Sequence, residues 1–317
     1  LVKIAIKRLG KNICRYKAML LMMLPVTVFV IINNYMPMFG VLMAFKKLDY
    51  GKGLLKSPFV GLSYFRFLFS NDAAWRITRN TVGFSFVFIF GGLVIAVLVA
   101  LLLNEVRGRL AKKFYQTIII MPNFLSIVVV SYIVYAILDP AHGLMNNSVL
   151  PALGADKVEW YSKPNNWVAI LPIVNFWMTA GVSCIIYLAG ITGIDPELYE
   201  AAIVDGASKR QQVRFVTLPM IRPIMVISLI MAMGGLFRSN FGLFYQVTMN
   251  SPLLYPVTDT IDTYVYRALT GGGMASASVD SFGRAAASGL YQSVVGAFLV
   301  VAANYVINMI DPELALF

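Results

Sequence analysis

Charge is what this chain has least of. Only 13% of its 317 residues are Asp, Glu, Lys or Arg, while 59% are hydrophobic. A water-soluble domain of this length could not cover its surface with so few charges, so the solvent for most of the chain is lipid. Cysteine is scarce as well: Cys14 and Cys184, far apart in sequence, indicate neither a disulfide framework nor a metal cluster. The single histidine, His142, stands in a stretch rich in Gly, Pro and Asn and reads as a solvated loop residue. No Gly-x-x-x-x-Gly-Lys-Ser/Thr run occurs, which excludes ATP binding by that phosphate loop. A Ser/His/carboxylate set, a paired-carboxylate site and a Cys/His cluster are also missing, so an enzyme reading has nothing specific to rest on. The net charge of +11 does not point to nucleic acid either. The bases flank apolar runs instead of interleaving with an aromatic platform, which fits lipid headgroups and membrane topology.

What is there is a series of six apolar runs, predicting an all-α membrane protein with six transmembrane helices and a single transmembrane domain over 1–317. A basic tail over 1–18 carries Lys3, Lys7, Arg8, Lys11, Arg15 and Lys17, and the positive-inside rule keeps it cytoplasmic. The chain begins at Leu1, leaving its native start open, and its first apolar run is too long for a signal-peptide core. Spans are predicted near 19–43, 81–103, 114–138, 167–191, 223 onward and 284–310. Pro25 and Pro37 should bend the first, and Gly91-Gly92 should let a neighbour approach the second. Residues 61–69 predict a helix in the outer headgroup layer, and residues 260–269 a second outer helix. Six spans return both termini to the cytoplasmic side. The segment 46–79 holds Lys46, Lys47, Lys52, Lys56, Arg66, Arg76 and Arg79 yet falls outside in this topology, against the charge rule. Asn146-Asn147-Ser148 matches a glycosylation sequon and is read as chance.

Between the fourth and fifth spans lies a polar, helix-forming island over 195–219. Asp195 is a good N-cap, Pro196 suits the first helical position, and Glu197 and Glu200 favour the positive end of the helix dipole. Gly206 offers a left-handed stop, and Ser208 with Gln211 has capping-box spacing that starts a second helix, which Pro219 and Pro223 should kink. The product is a helix–glycine–helix elbow with a small tip of alanines, shaped to dock on a partner.

Glu200-Ala201-Ala202, three residues, Asp-adjacent Gly206, nine residues, Val216, then Leu218-Pro219 resembles the signature of permease subunits of binding-protein-dependent ABC importers, with Val216 where Ile is usual. Tyr35-Met36-Pro37-Met38-Phe39-Gly40, Asn80-Thr81, Leu103-Asn104-Glu105, Ile185 to Gly190 and Ile261 to Tyr266 are similar to its carbohydrate-uptake branch, most of all to oligosaccharide and polysaccharide permeases. The resemblance implies a multi-pass subunit of the bacterial cytoplasmic membrane that is not itself an enzyme. It implies a second, homologous permease in a heterodimer, an ATPase subunit dimer that binds ATP and Mg, and an extracytoplasmic sugar-binding protein. Glu200, Ala201, Ala202, Asp205, Gly206, Ala207, Leu218 and Pro219 would then couple to the ATPase, moving as rigid bodies with its closure.

A sugar path wants aromatic platforms flanked by polar groups. The candidates are Asn175, Trp177, Arg238, Asn240, Tyr245, Gln246, Tyr291, Gln292, Asn304 and Tyr305, each of which also fits packing or an interhelical hydrogen bond. Arg238 stands apart: a continuous fifth helix would put it roughly 22 Å from Pro223, inside the membrane zone. The same architecture would also serve a peptide or polyol. A secondary transporter, by contrast, needs intramembrane carboxylates that these spans nearly lack.

Overall fold

A computed structural model describes residues 16–70, 72–270 and 279–310. The tail before residue 16 with Cys14, the Gly271-Gly272-Gly273 run and the Asp311-Pro312-Glu313 end lie outside the described residues. The described chain is built of helices: α1 (Lys17–Ala44), α2 (Ser63–Phe69), α3 (Ala73–Glu105), α4 (Arg109–Ile120), α5 (Ile127–Leu138), α6 (Pro164–Thr192), α7 (Pro196–Val204), α8 (Lys209–Met233), α9 (Ile261–Thr270) and α10 (Val279–Ile310). Among the described residues α1, α3, α6, α8 and α10 are each long and apolar enough to cross a membrane. A sixth crossing forms if α4 and α5 are one span, bent by 99°.

Helix α6 is the post around which the others stand. Trp167, Leu171, Val174, Gly181, Cys184, Leu188 and Ile191 recur at helical spacing along its buried side. Toward its start they join Phe84 of α3, Val130 and Val134 of α5, and Leu243, Phe244 and Val247 in one cluster. Toward its end they join Ala96, Val97, Ala100 and Leu103 of α3 with Ile221 of α8. Contact along the post is close because glycines remove side chains where backbones meet. A Cβ on Gly181 would stand 2.1 Å from the Ile119 carbonyl oxygen of α4, and one on Gly91 would stand 2.6 Å from the Phe176 ring.

Two predicted spans prove to be discontinuous. The third is not one helix over 114–138. Pro122 has no N–H to continue the ladder, the chain tightens through Met121–Phe124, and Ser126 restarts it by accepting from the Val129 N–H at 3.3 Å. The fifth begins earlier than predicted, at Lys209, and stops at Met233, where Gly234-Gly235 follows. Gly234-Gly235 breaks the helix before Arg238, so the continuous helix from Pro223 to Arg238 that the sequence suggested does not form. The expected kink at Pro219 takes the form of a π turn over Val213–Thr217. Pro37 likewise follows a π turn over Ile31–Tyr35, and α1 runs on through a 3-10 stretch to Ala44.

Two bases of the segment between α1 and α3 pair with acids from the later part of the chain, one at the start of α10 and one before α9. Lys47 pairs with Asp280 at 3.5 Å, and Arg76 with Asp259 at 2.9 Å. Arg79 donates to the Pro256 carbonyl at 3.1 Å. Asp259 is 3% exposed and is held from the other side by buried Arg267, whose guanidinium also covers the Tyr255 ring at 4.0 Å. Lys47, Arg76 and Arg79 are therefore ties between parts of the chain at one end of the bundle and not free positive charge. Nearby, Tyr64 donates to Asp280 at 3.0 Å, and burial together with that carboxylate pushes its hydroxyl up to about 12. At the same end Asn146 is buried, bonded to Val158 and to the Trp160 indole, so the sequon is structural. His142 is exposed; its backbone N–H donates to Asp139 at 2.9 Å and holds that carboxyl low.

Two stability predictions follow from this packing. Gly181→Ala should cost about 1–3 kcal/mol or more, because a carbonyl cannot move aside, while Gly289→Ala in the open face of α10 should gain about 0.5–1 kcal/mol. Thermal unfolding of the purified variants gives both signs. Asp259→Ala should cost about 3–5 kcal/mol by leaving Arg267 buried and unpaired, and Arg76→Gln at the half-exposed end of the same cluster about 1 kcal/mol or less. Equal losses would mean that burial does not set the strength of this cluster.

Candidate functional site

The elbow folds as its local chemistry dictates. Asp195 accepts from the Glu197 N–H at 3.0 Å and opens α7. Gly206 takes φ +77°, and the Ala207 N–H closes on the Ala202 carbonyl at 2.9 Å. The capping box is complete: Gln211 Oε1 accepts from the Ser208 N–H at 2.8 Å, and the Gln211 N–H returns to Ser208 Oγ. Two contacts then fix α7 and its exit against α8, and a third, exposed one brings α8 toward α3. Tyr199 and Thr217 hydroxyls meet at 2.9 Å, buried Gln212 donates to the Ala207 carbonyl at 3.0 Å, and Lys209 stands 3.9 Å from Glu105. The elbow is thus tied to both α3 and α8.

Of the predicted coupling residues, Glu200, Ala201, Asp205, Gly206 and Pro219 are exposed, and Ala202, Ala207 and Leu218 are half-buried. The tip is more apolar than a patch of alanines. Ile203 is exposed and Val204 is 87% exposed, with Leu198 and Phe215 also in the open. Their exposure was not read from the sequence, where an apolar residue inside a helix suggests burial. Tyr199 and Ile203, one turn apart on α7, both line a cavity with Thr217 of α8 and Glu105 of α3, and Val204 on the next position points away from it.

The predicted path residues divide into groups. Arg238, Asn240, Tyr245 and Gln246 fall together in the segment beyond Met233. Tyr291 and Gln292 of α10 meet that segment at Phe237: Gln292 donates to its carbonyl at 2.9 Å, and the Tyr291 ring packs edge-on at 6.0 Å. Tyr291 also shares a 2.8 Å hydrogen bond with Thr78, so both side chains serve packing. Asn304, buried, and Tyr305, exposed, lie about 18 Å further along α10. Asn175 is half-buried on α6, and Trp177 is exposed there. One turn below Asn175, Thr179 and Ser183 of α6 and Ser228 of α8 line a cavity of 270 Å³ together with Phe88 of α3. Missed by the sequence reading are Asp262, which accepts from the Ser239 N–H and Oγ at 2.6 Å each, and Phe241 and Tyr266, whose rings meet at 4.8 Å. The signal was present as Asp262 and Tyr266 one helical turn apart in α9.

Comparison with known proteins accounts for this arrangement. Residues 92–312 match the family described as binding-protein-dependent transport system inner membrane component. The chain is 32% identical to Protein LplB of Bacillus subtilis (strain 168), over 94% of this chain and 91% of that one. It is 35% identical to the polygalacturonan/rhamnogalacturonan transport system permease protein YteP of the same organism, over 94% and 90%. Among solved structures it superposes with TM-score 0.83, at 33% identity, on a bacterial ABC transporter involved in the import of the acidic polysaccharide alginate, covering 96% of this chain and 99% of that one. Helices of membrane-crossing length, the elbow between α6 and α8 and these matches lead to one statement: this multi-pass, all-α chain belongs to the family of inner-membrane components of binding-protein-dependent transport systems.

Proposed function

We propose that this chain is a permease subunit of an ATP-driven importer for a carbohydrate, an oligosaccharide handed over by an extracytoplasmic binding protein. The observation that carries the reading is the elbow: a rigid, outward-facing knob with an apolar tip, tied by Lys209–Glu105 and Tyr199–Thr217 to two spanning helices. Such a knob suits a cleft on a partner that moves. Its partner is an ATPase dimer that binds ATP and Mg, since this chain has no phosphate loop of its own. Closure of that dimer pushes Ile203 and Val204, and the push passes through α7 into α8 and α3 as rigid-body rocking. A second, homologous permease completes the path, and both termini lie with the elbow on the cytoplasmic side of the bacterial cytoplasmic membrane.

Carbohydrate cargo is supported by relatives named for polygalacturonan/rhamnogalacturonan and for trehalose/maltose, and by the alginate importer. It is also supported by chemistry: the cavity beside α6 offers the hydroxyls of Thr179, Ser183 and Ser228 beside the Phe88 ring. A sugar presents hydroxyls at its rim and C–H groups on its faces, and such a lining meets both.

Orientation is tested by impermeant maleimide on Ser208→Cys in a background with Cys14 and Cys184 replaced by Ser. Labelling is expected only after cells are opened; labelling of intact cells would remove the docking role. Coupling is tested at Gly206, where space is open but φ is +77°. Gly206→Val should abolish most stimulation of ATPase activity by sugar-loaded binding protein while the complex still assembles, and Gly206→Asn, which tolerates positive φ, should retain it. Wild-type stimulation in Gly206→Val would mean that the elbow does not transmit closure.

A further inference from the structure

The cavity beside the elbow tip has a volume of 170 Å³, and the coupling reading gives it no role. Three elements wall it: Asn104 and Glu105 at the finish of α3, Tyr199 and Ile203 on α7, and Lys209 and Gln212 at the start of α8. Ile203 is 58% exposed and belongs to the cavity wall and to the apolar tip alike. A partner seated on that tip therefore also reaches the cavity.

The polar groups of the wall are oxygens short of donors. Gln212 is 5% exposed. Its amide nitrogen donates to the Ala207 carbonyl at 3.0 Å, and its amide oxygen has no protein partner among the described residues. A side chain so buried with an acceptor left over calls for a donor from outside the chain. Asn104 is half-buried, and its side chain makes no hydrogen bond among the described residues. Glu105 has Lys209 alone, at 3.9 Å, with both side chains more than half exposed. An exposed pair at that distance contributes little to stability and exchanges easily. Tyr199, by contrast, is committed to Thr217 at 2.9 Å. One carboxylate and two amide oxygens on one small cavity suit the planar, five-donor fork of a guanidinium better than the point charge of an ammonium.

We propose that this cavity receives an arginine side chain of the ATPase that docks on the elbow, with Glu105, Asn104 and Gln212 as its acceptors. The inference rests on the coupling reading and deepens it. It extends the footprint of the ATPase past α7 onto α3, so that α3 feels closure directly as well as through the elbow. Lys209 is then a placeholder on Glu105, displaced when the guanidinium enters.

The test uses the intact importer complex in nanodiscs and reads the release of labelled ATPase subunits on dilution. Glu105→Gln should raise the dissociation constant at least about tenfold, the size of a charge-assisted contact. Lys209→Gln, which frees the carboxylate, should tighten binding by up to about fivefold. Asn104→Arg, which fills the cavity from within, should weaken binding as Glu105→Gln does, and it decides alone if Glu105→Gln does not assemble. One ATPase arginine should be shielded from phenylglyoxal in the wild-type complex and open to it in Glu105→Gln, as mapped by peptide mass spectrometry. The proposal is overturned if Glu105→Gln binds like the wild type, which is the result expected of a cavity that holds a free cytosolic cation. It is overturned as well if Lys209→Gln weakens binding as Glu105→Gln does, the signature of a tie internal to this chain, or if no arginine is shielded through Glu105. Val204→Asp at the tip separates the two readings. If it weakens binding and Glu105→Gln does not, the cavity alone loses its role; if neither weakens binding, the docking role of the elbow falls too.

Discussion

In lipid no water is available to a broken backbone, so every interruption of a spanning helix must be satisfied by the protein itself. This constraint shapes the chain wherever it departs from plain helix. At 121–126 the ladder is lost to Pro122 and recovered by Ser126, while Gly181 lets the post α6 cover the gap at backbone distance. After Met233 it is recovered by two partners from elsewhere, Asp262 on the Ser239 N–H and Gln292 on the Phe237 carbonyl, and by the local cap of Asn240 on the Leu243 N–H. The polar side chains at these breaks answer first to that need. Whatever ligand role the region has is built from the groups left over.

Those leftover groups sit at the end opposite the elbow, beside a clamp of unusual make. Asp259 gathers Arg76 from the start of α3 and Arg267 from α9, and Asn80 donates to the Asp259 carbonyl at 3.0 Å. The long connection between α8 and α10 is thereby fastened to the beginning of α3. At the other end Tyr199 and Leu218 of the elbow pack on the cluster that holds Leu103 at the finish of α3. One helix of 33 residues thus joins the two ends mechanically, and α6 packs along it.

The elbow was legible in the sequence because each of its devices is local. Asp195 reaches two residues, Gly206 needs only its own φ, and Ser208 reaches three. The long apolar helices and the short helix α2 were legible for the same reason, being matters of composition and period. The breaks were harder. Pro122 and Gly234-Gly235 are visible, but apolar residues continue past both, and composition alone reads through them. The partners that close the second break lie 23 and 55 residues away. The charge dissent at 46–79 had the same cause: Arg76 finds its acid 183 residues later. Tyr291 and Gln292 looked like sugar contacts by residue type, and only their tertiary partners show that they brace the fold.

Helix α1 is nearly bare: Ala44 is its one buried residue among those described, and it packs with Tyr64 and with Ala287 of α10. Helix α1 therefore meets its principal helical neighbour only when α10, more than two hundred residues later, has been made. Until then few residues of its own chain cover its apolar flanks, and its place in the bundle waits on α10.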